Sequence, residues 1–490
     1  MRGPVRERQG ATMSERIVVA LQRPVVGPPQ LYLLEPGTHG AADQPLSLDL
    51  DEIERLVALA RVPGPGPAAA GHNQRDWLEA FGSALFEKLM AHPAFESSVL
   101  PLLRLNPEKS EPFYLYFQHR MPAVEALPWE ALFAPDVGFL SQNHDFAMAR
   151  MLNTNSTKTE WLFEPPLKIA AVLGAGGVPG ESISGDQQWA SLAKAAGGAA
   201  LPVRVKVLTC QDELRDAINL AGLEREVDGA PWVTAELISD RDQLFAAIRG
   251  FAPHILHVFC HGIATTRPQL QVATYRDWGS EEPGSILIEG EQLKQNADMD
   301  GNIWLVTLNC CETAKDGAGS SSLSMPVACN LVSGGIPVVV GMRERIDDDF
   351  ANTFCALFYE ALLDELSRRL IEAAETDSTD MHWACGLFKV RQSMYERRKA
   401  DPAWTLPVMH TRLKRFQLKL NPTQRLPAAL APGAPTAARA GTATLSASDL
   451  HEYGEELLQL YEDQKAFAAI PGLPERIQRR IDEINRALSA

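Results

Sequence analysis

Two apolar runs organise the hydrophobic pattern of this chain, one at residues 254–262 and one at 303–312. Each has strand length and little alternation of polar and apolar positions. That is how a strand reads when both of its faces are buried in a parallel sheet. They sit inside a longer rhythm that begins after Pro166. Strand-like runs at 167–173, 203–208 and 233–238 alternate with helical stretches near 187–196, 212–224 and 240–251, the last capped by Asp240. A hairpin-like interlude at 269–275 and 285–288, then a short helix, separates the two long runs. A helix at 321–332, a strand at 336–340, helices at 347–371 and 381–398, and a strand at 404–411 complete the series. Alternation at these lengths predicts an α/β fold with a mostly parallel sheet flanked by helices.

The flanks read differently. Residues 17–21 and 31–34 alternate as a hairpin or edge strands, 48–59 and 77–90 as amphipathic helices, and 113–117 as a strand. A Pro/Gly/Ala loop lies at 62–71, and 127–133 reads as a helix with Pro128 in its first turn, where a missing N–H costs nothing. Nothing there carries obvious chemistry, so residues 1–165 are expected to be an N-terminal α+β supporting subdomain and 166–420 the functional body. Residues 421–447 are rich in Ala, Pro and Thr, the composition of a flexible linker. Residues 448–490 hold two amphipathic helices, the second with Ile477, Ile481, Ile484 and Leu488 on one face. A hairpin that small has to cover its apolar face on something else, so it is expected to act as an adaptor for a regulatory or recruiting protein partner. A linker of this kind reaches roughly 25–30 Å.

Bulk properties narrow the function. A net charge of -16 and a pI near 5.2 argue against nucleic acid as the main partner. No run nears the roughly 18 apolar residues of a membrane span, and the polar stretch 1–16 holds no secretory signal. The seven cysteines, mostly inside apolar runs, suit a reducing cytoplasm better than a disulfide framework.

The two long runs end on reactive side chains: His261 followed by Gly262, and Cys310-Cys311. In open parallel sheets the chemistry gathers where strands deliver their carboxyl ends to one crevice. A histidine and a cysteine brought there form a candidate nucleophile–base pair. Against this stands the simpler reading of a small core residue at the end of a buried strand. His257 and His261 invite a zinc pair, but four residues of strand span about 13 Å, too far to share one ion. His257 is expected to be a core histidine with a satisfied hydrogen bond. The loop 174–180 reads G-x-G-x-x-x-G with no following Lys-Ser/Thr, a malformed dinucleotide fingerprint, so no cofactor is expected and a cleft loop is the better reading. Asp347 and Asp348 are expected to cap the following helix. Strand parity does not choose between Cys310 and Cys311.

In combination the motifs resemble the CHAT family of bacterial caspase-like cysteine proteases. The similarity rests on Leu127-Pro128-Trp129-Glu130, His257-Val-Phe-Cys-His261-Gly262, Leu308-Asn-Cys-Cys311-Glu312-Thr313, Gly334-Gly335-Ile-Pro-Val-Val-Val-Gly341, Ile346-Asp347-Asp348 and Phe358-Tyr359, in order over roughly 80–415. It implies a caspase-like sheet and a His–Cys dyad with His261 and Cys311 in the catalytic positions. Two residues depart from the pattern: Cys310 stands where a small residue is usual, and Glu344 where Trp is common. The dyad makes physical sense, since an imidazole can ionise the thiol and protonate the leaving amine. The N–H groups of Gly262 and Cys311 could line an oxyanion hole.

An acid two residues before the cysteine selects basic residues in several relatives. Here Asn309 occupies that place, and Glu344 is the nearby acid, so both are expected to bind substrate, with Glu344 setting any Arg/Lys preference. The expected function is an endopeptidase acting on a specific protein in bacterial defence or programmed cell death. The alternatives are a catalytically silent scaffold, which has no need of His261 and Cys311, and a nucleotide-dependent enzyme, which the Gly-rich loop disfavours.

Overall fold

The computed structural model describes residues 17–22, 30–36, 46–47, 74–93, 95–97, 100, 112–117, 122–125, 127–142, 147–154, 156–176, 185–263, 267–278, 286–298, 301–314, 325–376, 378–397 and 402–420. The expected helix at 48–59, the loop at 62–71, the linker at 421–447 and the hairpin at 448–490 lie outside them. So do the end of the Gly-rich loop, 177–180, and residues 321–324 of an expected helix.

One sheet of twelve strands forms the spine. In chain order its strands are β1 (Ile17–Gln22), β2 (Gln30–Pro36), β3 (Leu46–Ser47), β4 (Pro112–Phe117), β5 (Ala147–Leu152), β6 (Leu167–Leu173), β7 (Val203–Thr209), β8 (Val233–Leu237), β9 (Ile255–Phe259), β10 (Leu305–Leu308), β11 (Val338–Met342) and β12 (Pro407–Arg412). Their order across the sheet is β8-β7-β6-β9-β10-β11-β12-β5-β4-β1-β2-β3. From β8 to β11 all pairings are parallel. The β12 strand is antiparallel to β11 but parallel to β5, and β5, β4 and β1 continue parallel. Two parallel blocks therefore run in opposite directions and meet at β11–β12.

The central strands show why their sequences carry no alternation. Every residue of β9, β10 and β11 is buried, because helices cover both faces. Besides the single turn Pro122–Glu125, the helices among the described residues are α1 (Gln74–Met90), α2 (Asp186–Gly198), α3 (Asp212–Gly222), α4 (Arg241–Phe251), α5 (Gly290–Ala297), α6 (Val327–Ser333), α7 (Asp348–Thr376) and α8 (Ala384–Arg397). Asp240 caps α4 by accepting the Gln243 N–H at 2.9 Å, and Asp347 caps α7 by accepting that of Phe350 at 2.7 Å. Asp348 is not a second cap; it is the first residue of α7.

Two expectations change, and one strand arrives without any sequence signal. The segment at 127–133 makes only a 3₁₀ turn, Trp129–Ala131, followed by the short strand Phe133–Ala134. All three turn residues are buried, and Glu130 is held by Arg150, which fixes the backbone more firmly than helix propensity does. His257 is a fully buried core residue, but neither ring nitrogen has a hydrogen bond. Its ring sits edge-on to Tyr359 at 5.4 Å between centroids, and burial pushes its pKa down to about 3, so it stays neutral. The strand β5 carries no strand signature at all: Ala-Met-Ala-Arg-Met-Leu is helix-favouring, yet it is buried throughout between β12 and β4.

Arg150 on β5 is held by a bidentate pair with Glu130, at 2.7 and 3.1 Å, and by the carbonyls of Glu125 and Leu127. Burial alone would raise the Glu130 pKa, but Arg150, then Arg391, and Arg343 more weakly, outweigh it and hold the carboxyl below its usual range. The Leu127–Glu130 motif is thus a structural lock that fastens this segment to β5. Breaking such a buried pair from one side costs about 3–5 kcal/mol.

Candidate active site

The parallel register of β9 and β10 sets the site. The first four residues of β9 face the β10 residues fifty positions later, from Ile255↔Leu305 to Val258↔Leu308. The offset persists past the strand ends, where the sulfurs of Cys260 and Cys310 lie 3.5 Å apart. His261 and Cys311 follow at the same offset, one residue further along. The two chains meet at the next residue: a Cβ on Gly262 would lie 1.8 Å from the Cys311 carbonyl oxygen. Only glycine lets the histidine strand pass this close.

Past Cys311 the chain turns sharply. Glu312 takes φ +56°, a left-handed conformation uncommon for a residue with a side chain. Its N–H donates to the Glu344 carbonyl at 3.1 Å. That turn leaves the Cys311 sulfur half-buried at the crevice, where it contacts the Ile346 carbonyl at 3.6 Å. Cys310 points the other way, into the core, and its thiol lies 3.2 Å from the Val258 carbonyl. Burial drives the Cys310 pKa far up, with Cys260 adding to the effect. The environments thus separate two adjacent thiols that the sequence left equivalent.

His261 reaches the Gly176 carbonyl through Nε2 at 2.6 Å. A carbonyl only accepts, so Nε2 carries a proton, and in the neutral ring the lone pair is on Nδ1. Gly176 follows β6, in the described part of the Gly-rich loop, and so this loop orients the imidazole. Sequence reasoning could not have found it, because the group is a backbone oxygen. Asp348 is a second omission. Burial, then Asp347, raises its pKa, and His261 counteracts them, which places its carboxyl within electrostatic reach of the ring.

Burial raises the Cys311 pKa above the ordinary thiol value, partly offset by the Ile346 backbone. The resting sulfur is therefore a thiol. Because the thiolate is the reactive form, alkylation by iodoacetamide should keep accelerating from neutral to alkaline pH, with its midpoint above about 8.5. A midpoint below neutral, read by mass spectrometry of the Cys311 peptide, would contradict a buried, un-ionised thiol.

Against the 343–347 strip, whose Ile346 carbonyl touches the Cys311 sulfur, lies a pocket of about 220 Å³. Its near wall is the strip from Arg343 to Asp347, and Trp77, Phe350 and Thr405 are among the residues closing it. Glu344 lines it, with its side chain 44% exposed and its carboxylate 3.7 Å from Arg343 Nε. Asn309 lies elsewhere than expected. It is buried, and its amide donates to Gln188 Oε1 at 3.1 Å and the Ala351 carbonyl at 2.8 Å. Gln188 in turn bonds Asn352 at 2.7 Å, so Asn309 ties the cysteine strand to α2 and α7. Among the described residues no group of three His, Cys, Asp or Glu side chains is placed to hold a metal, and no helix is long and apolar enough to cross a membrane.

His261 and Cys311 thus lie just past the carboxyl ends of adjacent parallel strands, with the Gly262 backbone against that of Cys311. The family model of the CHAT domain matches residues 79–382, and the chain belongs to that family. Membership supports a cysteine-protease kind of function. Among solved structures, the Arg-specific cysteine proteinase gingipain R aligns with TM-score 0.37 and 11% identity, over 67% of this chain and 70% of that one. A complex of the Porphyromonas gingivalis RgpB pro- and mature domains aligns with TM-score 0.34 and 11% identity, over 67% and 71%. A Saccharomyces cerevisiae separase–securin complex aligns with TM-score 0.38 and 10% identity, over 83% of this chain but 30% of that one. No curated protein sequence matches the chain.

Proposed function

We propose that the chain is a cysteine endopeptidase in which Cys311 attacks a peptide carbonyl and His261 manages the proton. The observation that carries this reading is the shared register: both side chains leave adjacent strands at one offset, with the Gly262 backbone against that of Cys311. The imidazole, held by Gly176, takes the thiol proton through Nδ1 as substrate arrives. The thiolate adds to the carbonyl, the imidazolium protonates the leaving amine, and water, with His261 as base, hydrolyses the thioester. The N–H groups of Gly262 and Cys311 stabilise the oxyanion. Glu344 belongs to the pocket that receives a substrate side chain, and Asn309 supports the cysteine strand from within.

Incubation with an electrophilic peptide, followed by mass mapping, should place the label on Cys311. Label on Cys310, or on no cysteine, would overturn the assignment. Family membership also supports a protein substrate and a setting in bacterial defence or programmed cell death. Residues 448–490 serve in this reading as the adaptor that raises local concentration at a partner. Deleting the chain after Ala440 should leave cleavage of a small peptide unchanged and weaken partner binding. Loss of peptidase activity in that variant would make the tail part of the catalytic body instead.

A further inference from the structure

The pocket against the 343–347 strip holds a buried cation, Arg343, that the catalytic reading does not use; Arg345, Glu344 and Asp347 also line it. Arg343, the first residue after β11, is 8% exposed. Its Nη2 donates to Thr405 Oγ1 at 3.2 Å, and its backbone N–H to the Leu406 carbonyl at 2.9 Å. Its Nε and Nη1 have no hydrogen-bond partner. Buried guanidinium N–H groups are rarely left unmade, because water has already been given up.

Nor is the charge matched from behind. The buried carboxylate there, Glu130, is already bonded on both oxygens by Arg150 and is felt by Arg391 as well. Three buried guanidinium groups therefore share one buried carboxylate. In front, Glu344 reaches Arg343 electrostatically at 3.7 Å but makes no hydrogen bond, and solvent screens it. The wall strip also borders the nucleophile, since the Glu344 and Ile346 carbonyls contact the Glu312 N–H and the Cys311 sulfur.

We propose that this pocket takes a carboxylate side chain of the substrate, Glu or Asp, which pairs with the Arg343 guanidinium as Glu344 moves aside. The inference rests on the protease reading for its substrate but not for its pocket. Glu344 then acts as a half-exposed competitor that the substrate carboxylate displaces. This reverses the sign expected from sequence, where Glu344 would attract Arg or Lys.

Two readouts test it on the full chain. One is cleavage of a positional-scanning peptide library. The other is the rate at which Cys311 is labelled by peptidyl chloromethyl ketones that differ only in carrying Glu, Arg or Leu. Charge-assisted pairing of a buried guanidinium predicts an acid preference of roughly tenfold or more over Leu at one position. Arg343→Met should bring that ratio close to one, and Glu344→Gln should raise it. If Arg343→Met does not fold, Glu344→Gln decides alone, because its side chain is half-exposed. Cleavage without an acid preference in either readout overturns the carboxylate pocket and leaves the protease standing. Labelling that favours the Glu reagent without any cleavage does the reverse. An Arg or Lys preference that disappears in Glu344→Gln also overturns the proposal, as does labelling indifferent to the residue carried.

Discussion

Cys311→Ala is expected to abolish peptide cleavage, by at least about 10⁴-fold, with little change in melting temperature. The sulfur is half-buried at the crevice, so its removal opens no enclosed core cavity. His261→Ala should be nearly as damaging, because the two groups act as a unit. Cys310→Ala is the control: its sulfur faces Cys260 inside the sheet, so that variant should keep most of the activity while losing some stability. Kinetics on the three variants, with thermal melts alongside, check all of this. A Cys311→Ala protein that cuts at the wild-type rate would end the nucleophile assignment.

Gly262→Ala should be the most informative single methyl group in the chain. The new Cβ would meet the Cys311 carbonyl oxygen at 1.8 Å and its carbonyl carbon at 2.9 Å. Neither is the end of a flexible side chain, so the two strand ends must separate by an ångström or more. A misplacement of that size costs about 100-fold in rate, and overpacking removes about 1–3 kcal/mol of stability. We expect kcat/KM to fall by at least that factor, with the melting temperature lowered by several degrees. Activity and melting both at wild-type levels would show that the strands are not in contact there.

The parts of this architecture visible in the sequence were those in which a side chain reports its own surroundings. The runs 254–262 and 303–312 lack alternation because helices bury both faces of β9 and β10, so strand type and parallel neighbours could be read together. The strand-end positions of His261 and Cys311 followed from the same pattern. What stayed hidden depended on distant residues. The β5 strand looks like a helix until its neighbours are known, and Arg150 there is tolerable only because Glu130 meets it. Cys310 and Cys311 differ by which way a tight turn sends them, and that turn requires a left-handed Glu312 that no local propensity announces. Asn309 has the right spacing for a pocket residue but is held by Gln188 and Ala351 from other elements. The Gly176 oxygen is a backbone atom and has no letter in the sequence.

The meeting of two opposed parallel blocks at β11–β12 has a practical meaning for dissecting the molecule. The last strand of the sheet in chain order, β12, pairs on its far side with β5, which comes from the first 165 residues. Cutting the chain after residue 165 would therefore leave each piece with an unsatisfied strand edge, and would strand Arg150 and Glu130 away from Arg391 and Arg343. Such pieces resemble the two halves of a split reporter more than two independent modules. Each should be insoluble or sticky alone, and activity should return when they are expressed together, because the edge that each exposes is the template the other completes.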